Sequence, residues 1–160
     1  MSDKKCRWGI LGSAGIAQKN WQSIHHAENA ELVAVASRDV AKSQDFINRC
    51  SAQVPHIDKP MALGSYEELL SRDDIDAIYL PLPTGLRPEW ALKVAKAGKH
   101  LLCEKPCGTS LKQVQDIVAA CDRAGVQFMD GVMFMHSERL KRVRAVIDDG
   151  ATIGKLRRIN

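Results

Sequence analysis

Three short stretches of this 160-residue chain hold residue types that could do chemistry together. The first is Gly12-Ser13-Ala14-Gly15-Ile16-Ala17, a run of small residues after the apolar pair Ile10-Leu11. Small residues at a strand-to-helix turn let an anion approach the backbone N–H groups, and the helix dipole adds to their pull; a diphosphate suits such a turn. The second is Ser37-Arg38-Asp39, with Lys42 one helical turn on. A guanidinium grips a phosphate through two parallel bonds and stacks on planar rings. The third is Glu104-Lys105-Pro106. A lysine stripped of water has its pKa brought from about 10.4 towards about 7–8, where it moves protons near neutral pH. A bland reading stands beside each: a plain glycine turn, a surface arginine with a capping Asp39 and a solvated Lys42, and a surface Glu–Lys pair.

These residues need elements to hold them, and the chain alternates strand-like apolar runs with helical patterns. Strands are predicted over Arg7–Gly12, Glu31–Ser37, Asp76–Leu82, Lys99–Cys103 and Val126–Met129. Helices are predicted over Gly15–Ala27, Val40–Arg49, a short stretch from Ser65, Leu86–Ala97, Ser110 to about Ala124, and His136–Asp149. Ser65-Tyr66-Glu67-Glu68 and Ser110-Leu111-Lys112-Gln113 have the spacing of capping boxes. The stretch Val54–Gly64, with Pro55 and Pro60, reads as irregular, and Ile153–Ile159 as a last strand. Strand–helix alternation with buried, near-continuous apolar strands points to an α/β fold, a doubly wound parallel sheet of the Rossmann type. Ligands of such sheets sit at the carboxyl ends of the strands, which is where all three stretches fall.

The dinucleotide fingerprint G-x-G-x-x-G/A is met only in part. Gly12 and Ala17 fit, Ala14 takes the middle glycine's place, and Gly15 follows one residue later. After the second strand a dinucleotide without a 2′-phosphate usually meets a carboxylate. Ser37 and Arg38 stand there instead, which favours NADP over NAD. Leu80, Pro81 and Pro83 end the strand Asp76–Leu82 and offer a rigid wall for an adenosine, or a simple helix lead-in.

Composition bounds the rest. A 45% hydrophobic and 26% charged chain is that of a globular protein with a real core. Met1 to Cys6 leads straight into a strand, with no signal peptide and no apolar run of membrane-spanning length, so a cytoplasmic protein without a membrane partner is expected. Five cysteines without a Cys-x-x-Cys pair read as reduced thiols. His100, Cys103 and Cys107 match no common zinc spacing, so no metal is expected. The net charge of +4 arises wholly from the segment 136–160. A solvated helix face, or a surface for another protein segment, explains it better than a nucleic-acid patch.

Five motifs then occur in order: Trp8-Gly-Ile-Leu-Gly12, Val35-Ala-Ser-Arg38, Ser65-Tyr-Glu-Glu-Leu-Leu70, Ala97-Gly-Lys-His-Leu-Leu-Cys-Glu-Lys-Pro106 and Gly131-Val-Met-Phe-Met-His136. Together they resemble the amino-terminal domain of the glucose–fructose oxidoreductase/inositol dehydrogenase/rhizopine-catabolism (Gfo/Idh/MocA) family, and within it NADP-dependent sugar and dihydrodiol dehydrogenases. The resemblance implies an NAD(P)-binding Rossmann domain over residues 1–135. It implies that residues 136–160 form a connecting helix and the first strand of a second, α+β substrate domain, most of which would lie past Asn160. It implies an oxidoreductase that passes a hydride between NADP and a CH–OH or C=O carbon of a sugar, polyol or alicyclic alcohol. Lys105 would serve proton transfer beside the nicotinamide. Gly12, Ser13, Ala14, Gly15 and Ile16 would hold the diphosphate. Ser37, Arg38, Lys42 and Tyr66 would surround the 2′-phosphate, with Leu80, Pro81, Pro83 and Glu104 nearby. A cis Lys105–Pro106 bond and a homo-oligomeric full-length form are implied as well. Arg87 departs from the pattern, for relatives often carry a histidine there. The competing function is a non-catalytic NAD(P)-binding sensor or regulatory module. An exposed apolar patch is expected along Met133, Phe134, Ile153, Leu156 and Ile159.

Overall fold

The computed structural model describes residues 4–158. Six strands form one sheet: β1 (Cys6–Leu11), β2 (Ala30–Ala36), β3 (Met61–Leu63), β4 (Ala77–Leu80), β5 (His100–Cys103) and β6 (Phe128–Asp130). Their order is β3-β2-β1-β4-β5-β6 and every pairing is parallel. The chain leaves β1 for β2 on one side and later returns for β4 on the other. The carboxyl end of β1 is therefore the point where the strand order reverses, and a crevice opens there.

Among the described residues five helices pack around this sheet, α1 (Ala17–His26), α2 (Val40–Ser51), α3 (Tyr66–Leu70), α4 (Arg87–Lys96) and α5 (Leu111–Ala124), and a sixth, α6 (Glu138–Asp148), buries none of its residues. Trp21 and Ile24 of α1 and Phe46 and Ile47 of α2 meet Ile10, Val35 and Tyr79 on one face. Leu69, Trp90, Val94, Ile117 and Cys121 from α3, α4 and α5 meet Leu11, Ile78, Leu80 and Leu101 on the other.

The caps follow the sequence. Asp39 accepts the Ala41 amide at 2.8 Å, Ser65 the Glu68 amide at 2.9 Å and Ser110 the Gln113 amide at 3.3 Å. At α5 the box is offset: Gln113 Oε1 accepts from Thr109 N at 2.8 Å. Gly125 closes that helix at φ +66.

Three expectations need correction. The stretch Val54–Gly64 contains β3, which pairs Ala34, Val35 and Ala36 with Met61, Ala62 and Leu63. Three residues after Pro60 are too few to show a period. The strand expected over Asp76–Leu82 is only Ala77–Leu80, because Pro81 has no N–H to pair. Residues 153–158 form no strand; Gly154 turns the chain at φ +67 and no neighbouring strand is there to pair with. Ile159 lies outside the described residues.

Candidate functional site

Gly12 ends β1 with its N–H donated to the Ala36 carbonyl at 2.9 Å. Its φ is +122, and a Cβ there would lie 2.9 Å from Leu82 Cδ2. Only glycine meets both demands. The chain then runs through Ser13 to Ile16 before α1 begins. Ala17, Gln18 and Lys19 donate to the carbonyls of Ala14, Gly15 and Ile16. Among the described residues the amides of Ser13, Ala14, Gly15 and Ile16 have no acceptor. These four donors belong to the turn that leads into a helix N-terminus carrying no acidic residue in its first turn. The alanine at position 14 leaves the turn intact, and beside Gly15 a Cβ would meet nothing within 4 Å.

A groove of about 230 Å³ runs from this turn to the ends of β2 and β4. Gly12, Ser13, Ala14, Ser37, Arg38, Lys42, Tyr66, Pro81 and Pro83 all line it, together with Leu82. Ser37 is buried, its amide held by the Leu63 carbonyl at 3.2 Å. Arg38 and Lys42 are exposed, and among the described residues neither has a hydrogen-bond or ion-pair partner for its side-chain cation. Tyr66 packs edge-on against Trp90 with ring centroids 4.9 Å apart. Burial pushes its hydroxyl pKa up, so it faces the groove as a neutral group. Larger hollows exist, such as the groove of about 510 Å³ along Arg142, Val143, Val146, Ile147, Ile153 and Leu156, lined by one arginine and five apolar side chains. The small groove brings two cations together with the amides of the first turn.

Five of the expected site residues do not line this groove: Gly15, Ile16, Leu80, Glu104 and Lys105. Leu80 is fully buried in the core, its carbonyl occupied by the Glu104 amide at 3.1 Å, so it backs the site without facing the groove. Ile16 is 37% exposed at the start of α1 and offers its amide only.

Glu104-Lys105-Pro106 follows β5, and the Lys105–Pro106 bond is cis. Glu104 is buried and turned back towards the sheet. Its Oε1 accepts from Tyr79 Oη at 2.8 Å and its Oε2 from the Lys105 amide at 3.3 Å. Gly131 lets it in, since a Cβ there would come within 3.1 Å of Oε2. Burial and the Glu104 carboxylate push the Tyr79 hydroxyl above the ordinary phenol range, so it stays a donor. The surface Glu–Lys pair is thereby ruled out: the Lys105 ammonium is exposed and has no carboxylate partner among the described residues. The burial that proton transfer calls for is not supplied by residues 4–158. His100 Nδ1 accepts the Gln127 amide at 3.0 Å.

One feature of the sequence carried no such signal. Arg87 is buried at the first turn of α4. Its Nε donates to the Leu82 carbonyl at 2.6 Å, and its Nη1 to Pro106 O at 2.7 Å and Thr84 Oγ1 at 3.2 Å. An arginine just before a proline usually reads as surface; only the contacts reveal this one as a tie between two strand ends.

The arrangement sets a turn with acceptor-less amides at the switch point, a partner-less guanidinium one strand over, and a lysine two strands over in the other direction. The family model for an oxidoreductase family with an NAD-binding Rossmann fold, GFO_IDH_MocA, matches residues 6–132. The chain belongs to this family. It is 38% identical over 140 residues to D-xylose 1-dehydrogenase (NADP(+)) 2 of Haloferax volcanii, covering 88% of this chain and 41% of that one. It is 32% identical over 154 residues to trans-1,2-dihydrobenzene-1,2-diol dehydrogenase of Bos taurus, covering 94% and 43%. Its fold matches the crystal structure of KijD10, a 3-ketoreductase from Actinomadura kijaniata in complex with NADP, with a TM-score of 0.83, 32% identity, and coverage of 94% and 46%. The chain thus spans less than half the length of these GFO_IDH_MocA relatives.

Proposed function

We propose that this chain is the NADP-binding part of an oxidoreductase acting on a sugar, polyol or alicyclic alcohol. The observation that carries the reading is the meeting, in a single groove, of the acceptor-less amides of Ser13 and Ala14 with the partner-less cations of Arg38 and Lys42. The amides of Ser13 to Ile16 suit a diphosphate, and Arg38 with Lys42 suits a further phosphate at the adenosine end. Ser37 replaces the carboxylate that would repel it. Pro81, Pro83 and Tyr66 wall the groove with rigid or apolar surface. The names of the relatives support both the nucleotide and the substrate class.

The bound nucleotide would supply the hydride acceptor or donor at its nicotinamide. The chain's own part is to bind, orient and move a proton. Lys105 Nζ would hold a proton for the substrate oxygen, and Glu104, anchored through Tyr79, fixes the backbone from which Lys105 projects. The exposure of Lys105 favours a second reading, a nucleotide-sensing module without turnover.

Fluorescence titration tests the nucleotide assignment. NADPH is expected to bind with a Kd of about 1–100 µM. Arg38→Ala should weaken NADPH by about tenfold or more, the worth of one charge-assisted phosphate contact, and leave NADH within about twofold. Equal losses for both nucleotides would refute the role given to Arg38. For catalysis, Lys105→Met should keep NADPH binding and lower turnover by about 10²–10⁴-fold in the active oxidoreductase. Binding with no turnover on any sugar or alicyclic alcohol would instead favour the sensor.

A further inference from the structure

Arg87 joins three parts of the site that the sheet alone would leave independent. Leu82, whose carbonyl accepts from Nε at 2.6 Å, is the residue that packs over Gly12. Thr84, whose hydroxyl accepts from Nη1, opens the turn into α4. Pro106, whose carbonyl accepts from Nη1 at 2.7 Å, immediately follows Lys105. The guanidinium is buried, and among the described residues it forms no ion pair with a carboxylate. All its bonds go to neutral oxygens on two strand-end loops. A guanidinium is planar, so its donors hold fixed mutual angles that an ammonium cannot reproduce.

We propose that Arg87 is the positioning residue of the site: it fixes the loop bearing Lys105 relative to the turn at Gly12. The proposal rests on the reading of Lys105 and of the nucleotide groove given above. Arg87 touches no reacting atom in this scheme and acts through the Leu82 and Pro106 carbonyls. β4 and β5 already pair from Ala77 to Leu80 and from His100 to Cys103, but the ladder stops there. Beyond it the Glu104 amide still reaches Leu80, and the next tie between the two loops is Arg87. Glu104, bonded to Tyr79 and to the Lys105 amide, holds the chain before Lys105, and Arg87 holds it after; small misplacements of a reacting group cost about 10²-fold in rate.

Arg87→Lys is the informative variant, because it keeps the charge and loses the fork. Amide hydrogen exchange, read by mass spectrometry without nucleotide, is expected to quicken about tenfold in both segments 82–86 and 103–107, with α1, α2 and β2 unchanged. In the active oxidoreductase, kcat is expected to fall about tenfold or more while the Kd for NADPH stays within about threefold. Arg87→Gln, which keeps a donor for the Leu82 carbonyl, is read in the same way if the lysine variant does not fold. Exchange at 103–107 equal to wild type would overturn the proposal. So would a loss of turnover no larger than the loss of NADPH binding, or exchange that quickens across the whole sheet, since each is the mark of a merely structural arginine. Wild-type protein that fails to bind NADPH would overturn the nucleotide reading alone; the exchange comparison needs no nucleotide and still decides whether the tie exists.

Discussion

At the scale of single residues, the site is built by pairing buried polar groups and leaving a few exposed ones unpaired. Glu104 and Tyr79 illustrate the first. A carboxylate 8% exposed would be costly without donors, and it has the Tyr79 hydroxyl and the Lys105 amide. Tyr79→Phe removes the shorter bond and leaves one carboxylate oxygen short of a partner. The expected loss is about 1.5–3 kcal/mol of unfolding free energy, measured by urea denaturation, with the fold otherwise kept. Arg38 illustrates the second, an exposed cation without a partner among the described residues. Placement at strand ends was readable in the sequence: Gly12, Ser37, Arg38 and Lys105 follow apolar runs that the structure pairs into the sheet. The residues that act by contact were not. Arg87 and Tyr79 show their roles only when loops far apart in sequence meet, and no local pattern encodes that meeting.

At the scale of elements, the strand-to-helix turn and its neighbours decide the site's shape. Gly12 sits at φ +122 against Leu82, so Gly12→Ala carries both backbone strain and a clash. The cost expected from strain alone is about 1–3 kcal/mol, seen as a lowered melting temperature, and NADPH binding should fall with it as the turn shifts. Asp39 anchors the next helix through its bond to Ala41, and Asp39→Ala is expected to cost about 1 kcal/mol by the same measurement. Because Asp39 is a cap pointing into α2, its loss should leave the preference for NADPH over NADH intact. The elements themselves were legible wherever caps and apolar runs were long: β1, β2, α2, α4 and α5 fall within a few residues of expectation. β3 was hidden, because its three residues owe their state to pairing with β2 rather than to their own pattern. The opposite error, over residues 153–158, is of the same kind: an apolar run alone does not make a strand.

At the scale of the whole molecule, the two faces of the sheet are unequally covered. α1 and α2 cover one face only as far as β4; beyond Tyr79, Leu102 is half-buried and Met129 is 45% exposed. Met133, Phe134, Ile153 and Leu156 are exposed as well, and α6 buries none of its residues. Exposed apolar side chains in such number favour association. The 160-residue chain is therefore expected to self-associate as its concentration rises, by sedimentation velocity, and a monomer throughout would count against it. The amino-terminal end of the two central strands is held differently: Arg7 forks onto Asp76 at 3.0 and 2.7 Å and holds its carboxyl well below the usual carboxylate range. A carboxyl depressed in the folded state stabilises above its unfolded pKa of about 3.9 and loses that contribution as pH falls towards its folded value. The melting temperature should thus drop on acidification below about pH 4, and Asp76→Asn should flatten that drop. The central claim, that the first turn and the end of β2 together grip NADP, is tested most directly by a ¹⁵N NMR titration of the chain with NADP⁺ and NAD⁺. The account expects both nucleotides to shift the amides of Ser13, Ala14, Gly15 and Ile16, and NADP⁺ alone to shift Arg38 and Lys42 strongly. Shifts that leave residues 13–16 in place, or that are the same at Arg38 for the two nucleotides, would contradict it.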